Sequence, residues 1–120
     1  MMEGVAFAIR DQLGLLTQGG ARVTELRVSG GDTRLASWNR IKADALGLPV
    51  ITVPGDAAVG GVAMLAALGS GTYATVDEAI ATCVRPAPAL EPDHRTRNHY
   101  DERFAAWREL AAAAVARRED

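Results

Sequence analysis

The sequence predicts an α/β fold built on a parallel β-α-β unit, two strands with flanking helices. Three observations carry that prediction. Residues 23–28, VTELRV, alternate so that Leu26 and Val28 share one face and Glu25 and Arg27 the other. Trp38, Ile41, Ala45 and Leu48 then recur at helical spacing, and residues 50–53, VITV, form a β-branched run between prolines. Strand, helix and strand in that order make a crossover, which is right-handed when the two strands lie parallel.

Each element has its own local reason. Val5, Ile9, Leu13 and Leu16 predict an amphipathic helix over residues 3–17, ended by Gly19-Gly20. Met1-Met2-Glu3-Gly4 offers it no capping side chain, as expected of a segment that continues upstream. The first strand runs into Gly30-Gly31-Asp32-Thr33, a permissive turn. Gly47 suits a left-handed cap on the second helix, and Pro49 blocks its continuation. The uninterrupted VITV run predicts a strand buried on both faces.

Asp56 is placed to cap a helix over residues 57–68, in which Gly60, Gly61, Ala63 and Ala67 sit among Val59, Val62, Met64 and Leu65. Two adjacent glycines cost a helix about 1 kcal/mol each relative to Ala, so a close approach to that backbone is expected. Thr75-Val76-Asp77-Glu78 has capping-box spacing and predicts a short helix to Thr82. Pro86, Pro88 and Pro92 make residues 85–93 an extended connector. Tyr100, Phe104, Trp107 and Ala111 mark a last helix from His94 to Arg117. Two strands with open edges make a poor independent core, so further strands from upstream sequence or from a partner chain are expected.

Composition bounds the function. The 120 residues fit one domain, 48% hydrophobic and 23% charged, with a net charge of −2. Nucleic acid and anionic membranes are therefore not expected partners. The single Cys83 cannot form an internal disulfide, and neither a long uncharged apolar run nor a basic leader is present, so a cytoplasmic setting is expected.

The glycine turn is the first candidate site. Glycines let a ligand sit against bare backbone, and amides near a helix start favour an anion such as phosphate. Plain chain reversal is the competing reading, since neither G-x-G-x-x-G nor G-x-x-x-x-G-K-[ST] is present. Gly60-Gly61, at the start of the helix that follows the second strand, belongs at the same carboxyl end of the sheet, where open α/β sheets bind ligands. Tight packing against a neighbouring helix is its alternative.

The stretch RVSGGDTRLASWNRIKADALGLPV, followed by PGDAAVGGVAMLAALGSGTYATVDEAI, resembles the C-terminal portion of the FGGY carbohydrate kinases, especially xylulose kinase-like members. EGVAFAIRDQL and YDERFAAWREL extend the likeness over nearly the whole chain. The resemblance implies a partial actin-like ATPase (ribonuclease H-like) fold, with residues 1–120 the nucleotide-side segment of the second domain and the N-terminal domain absent. It further implies ATP and Mg as cofactors, ATP/ADP as partners, and phosphorylation of a ketose such as xylulose by the full-length enzyme.

By the same resemblance, Gly30 and Gly31 approach the nucleotide phosphates. Asp32 and Thr33 stand where relatives often have Gly and Ala, and Leu35 where many have Ser or Asn facing the adenine. Gly61 matches the glycine of an Ala-Leu-Gly-Ala pattern, with Gly60 in place of its Leu. The family's catalytic Asp, FGGY signatures and sugar contacts belong to preceding sequence, so no catalytic residue is assigned and the chain alone is not expected to turn over. The alternative is a non-catalytic remnant that pairs with another copy or chain as an interaction module, a homo-oligomer.

Other chemistry-bearing residues have plainer readings. Asp44, one helical turn from Arg40, reads as a solvated surface charge. His94 and His99 read as capping or exposed groups without metal-ligand spacing, and Cys83 as a small packing residue. Trp38 and Trp107 read as core.

Overall fold

The computed structural model describes residues 1–117. Helix α1 spans Met2–Gln18, strand β1 Leu26–Ser29, helix α2 Ala36–Leu46 and strand β2 Val50–Val53. Helices α3 (Ala57–Gly69), α4 (Val76–Cys83) and α5 (Arg97–Ala116) follow. The two strands are parallel, with Leu26 opposite Val50 and Ser29 opposite Val53, so the expected β-α-β crossover is formed.

Helix α2 is the centre of the packing. Seven of its eleven residues are buried, more than one amphipathic stripe supplies, because both of its sides are covered. Ala43 joins Val28 and Val50 over the sheet, while Trp38 and Ala45 join Ala6, Phe7 and Tyr100 between α1 and α5. The layers are thus sheet, α2, and the α1–α5 pair. The chain stops α2 as the sequence requires: Gly47 takes φ 67°, a left-handed conformation, and its N–H bonds to the Ala43 carbonyl. A Cβ there would also collide with the Arg97 guanidinium. Gly47→Ala is expected to lower stability by about 1–2 kcal/mol, read as a lower denaturation midpoint.

Several expectations need correction. Helix α1 buries Ala6 and Phe7, whereas Val5 and Leu16 are 51% and 55% exposed. The aromatic side chains of α5 set that face: Phe7 packs among Tyr100, Phe104 and Trp107, and Arg10 lies over the Phe104 ring. In β2 only Val50 is buried and the other three residues are half-buried, so the strand is not buried on both faces as its β-branched run predicted. Cys83 is exposed, with its Sγ 3.5 Å from the Tyr73 hydroxyl, rather than packed.

The connector after α4 does more than connect. Ala87 N–H donates to the Thr52 carbonyl, and Leu90 and Val50 exchange both backbone hydrogen bonds in an antiparallel bridge. It therefore covers one edge of β2. Asp44 helps to hold it there. Its carboxylate, 7% exposed, accepts the Asp93 N–H at 2.8 Å and an Arg40 hydrogen bond at 3.2 Å, and Arg40 also donates to the Glu91 carbonyl. Asp44 is thus a buried clamp and not the solvated charge that its spacing from Arg40 predicted. Among the described residues, no helix is long and apolar enough to cross a membrane.

Candidate functional site

The parallel register sets the site. Ser29 and Val53 are partners at the carboxyl ends of β1 and β2, so the glycine turn and the Pro54–Asp56 loop leave the sheet side by side. The turn itself is a short 3-10 helix, Gly30–Arg34, closed by a hydrogen bond from Thr33 Oγ1 to the Gly30 carbonyl at 2.7 Å. Gly30 takes φ 76° and so needs glycine for its backbone. Gly31 does not. Both residues are exposed, and a Cβ built on either meets no atom within 4 Å.

Gly30, Gly31, Asp32 and Leu35 are exposed and Thr33 is half-buried among them, with Leu35 at the start of α2 and 49% exposed. Gly61 lies apart, in the second turn of α3. Nothing in the described chain lies within 4 Å of a Cβ at Gly60 or Gly61, so the expected close approach is not made here, by helix or otherwise. The amides at the start of α3 are already taken: Asp56 Oδ1 accepts from Ala58 and Val59 N–H at 3.0 and 3.1 Å.

Asp32 has the most structured environment of the set. Its Oδ2 accepts from Trp38 Nε1 at 2.9 Å and from Lys42 Nζ at 3.0 Å, while Asn39 Nδ2 donates to its backbone carbonyl at 3.0 Å. The Lys42 hydrogen bond, then that of Trp38, holds the Asp32 carboxyl below its ordinary value. Sequence reasoning missed these three anchors. The signal available was positional: Trp38 and Lys42 stand four apart on one helical face, immediately after the turn. Beside the turn, a groove of about 520 Å³ runs between Thr33, Ser37, Asn39, Arg40, Thr52 and the connector. Among the described residues no three His, Cys, Asp or Glu side chains group as a cation site.

Residues 1–70 match the sequence profile of the FGGY family of carbohydrate kinases, C-terminal domain. The chain belongs to the FGGY family. Within the family it is 33% identical to the erythritol kinase of Brucella abortus over 120 residues, which is 96% of this chain and 22% of that enzyme. It is 27% identical to the xylulose kinase of Bacillus subtilis over 111 residues, 92% of this chain and 22% of that one. The crystal structure of xylulose kinase from Rhodospirillum rubrum superposes with a TM-score of 0.79 at 29% identity, over 96% of this chain and 24% of the kinase. This FGGY chain thus spans less than a quarter of each of these three relatives. Its fold is the corresponding α/β part of the actin-like ATPase architecture of sugar kinases.

Proposed function

We propose that this chain is the nucleotide-side segment, residues 1–120, of the C-terminal domain of an ATP-dependent kinase for a ketose such as xylulose. In this reading Gly30, Gly31, Asp32, Thr33 and Leu35 form one wall of the nucleotide site, and Gly61 borders it from α3. The observation that carries it is the shared carboxyl end of two parallel strands, from which both glycine-bearing segments depart. When bound, MgATP supplies the γ-phosphoryl group for transfer to a sugar hydroxyl. The chain's own part is to bind and orient: bare backbone at Gly30 and Gly31 admits phosphate closely, and half-exposed Leu35 offers an apolar contact to a base.

Titration with ADP and with MgATP tests it. Gly31→Val is a clean probe, because neither backbone strain nor a neighbouring atom opposes the new side chain in the free protein. Binding by the parent and loss of at least about tenfold in affinity by the variant, with unchanged thermal stability, is the expected result. Equal affinities would remove the turn from the site.

A second reading, an interaction module, draws on two observations. Helix α3 carries no charged residue, and Val59, Val62 and Leu65 are 66–69% exposed. The chain exposes 8369 Å², against roughly 6,200 Å² for a monomer of its mass, and the difference is the size of an obligate interface. An obligate dimer by light scattering, with no thermal shift on adding ADP, would favour this module over the kinase segment.

A further inference from the structure

Lys42 is the single lysine of the 120 residues, and it is 2% exposed. A buried ammonium is costly unless it is paired and hydrogen-bonded. Its partner is Asp32 Oδ2 at 3.0 Å, with the Trp38 ring face 4.8 Å from Nζ, and the same Asp32 oxygen accepts from Trp38 Nε1. Asn39 holds the Asp32 carbonyl, so side chain and backbone of one turn residue are both tied to α2.

We infer that Lys42 and Trp38 are positioning residues for nucleotide binding: acting through Asp32, they fix the glycine turn on α2 and balance a negative charge beside the phosphates. The inference rests on the nucleotide reading of that turn. An aspartate in the middle of an anion-binding turn is a contradiction in charge, since a carboxylate a few ångströms from a phosphate repels it. Here one of its oxygens receives two donors, one of them a full positive charge. Trp38 contributes a donor whose indole is itself locked in the α1–α2–α5 core. The turn thereby inherits the rigidity of that core.

The test uses the whole chain, with ADP as the probe and Lys42→Met, Trp38→Phe and the double variant Asp32→Ala/Lys42→Met. Lys42→Met keeps the stem but removes the balancing charge, and is expected to weaken ADP binding about tenfold. The double variant carries neither charge and is expected to return within about threefold of the parent, a recovery that a merely stabilising role does not produce. Unchanged affinity in Lys42→Met, or no recovery in the double variant, overturns the inference. If Lys42→Met does not fold, Trp38→Phe, which keeps a ring and loses the donor, carries the test with an expected weakening of about threefold. If the parent itself does not bind ADP, the kinase reading fails. Positioning is then read from amide hydrogen exchange at Leu35, whose N–H donates to the Asp32 carbonyl at 3.2 Å, expected to be about tenfold faster in Lys42→Met or Trp38→Phe with β2 unchanged. Equal exchange overturns it.

Discussion

Phe7→Ala is expected to cost about 3–5 kcal/mol. Phe7 is 3% exposed and its ring centroid lies 6.3, 5.9 and 6.3 Å from those of Tyr100, Phe104 and Trp107. Truncation removes one member of an aromatic cluster that joins α1 to α5 across Trp38, and the surrounding rings cannot all collapse inward. The loss is comparable to the whole stability of a small domain. Urea denaturation followed by tryptophan fluorescence measures it directly. Val5→Ala is the internal control, expected within about 0.5 kcal/mol because Val5 is 51% exposed.

Asp44→Ala is expected to cost about 2–4 kcal/mol. The substitution leaves the Asp93 N–H and the Arg40 guanidinium without the buried acceptor they share. Asp44→Asn keeps a side-chain oxygen able to accept from Asp93 and should cost less than half as much. Thermal melts of the three proteins at one pH separate these outcomes. A loss within about 0.5 kcal/mol for Asp44→Ala is what a solvated surface charge would give, and would refute the clamp.

The elements legible in sequence were those whose signals are local. The left-handed cap at Gly47, the Asp56 cap of α3 and the β-branched run at 50–53 each specify a structure within a few residues. The Thr75–Glu78 box was also legible, with one variation: Thr75 Oγ1 accepts from Glu78 N–H, but Glu78 reaches back to the N–H of Ala74. What stayed illegible depends on partners far along the chain. Which stripe of α1 is buried is decided by α5, some ninety residues away, and Asp44 is buried by a connector whose prolines carry no pairing signal.

The candidate site divides in the same way. A Gly-Gly turn after a strand identifies permissive backbone, and Gly30 does use a positive φ. The resemblance to FGGY kinases supplied the expectation of a nucleotide, and the family match bears out the resemblance itself. Neither source pointed to Lys42, because a lone lysine inside a helix has the pattern of an exposed residue. Only the packing of Trp38 against α1 and α5 brings its helix face under the turn.

The bridge between Leu90 and Val50 bears on the order in which the chain assembles. Polypeptide leaves the sheet after Val53 and returns at Ala87, so the bridge closes a long excursion that contains α3 and α4. Closing it before β1, α2 and β2 have come together would spend chain entropy on a single pair of residues. The crossover is therefore expected to form first, with the proline segment pairing afterwards and the excursion settling last.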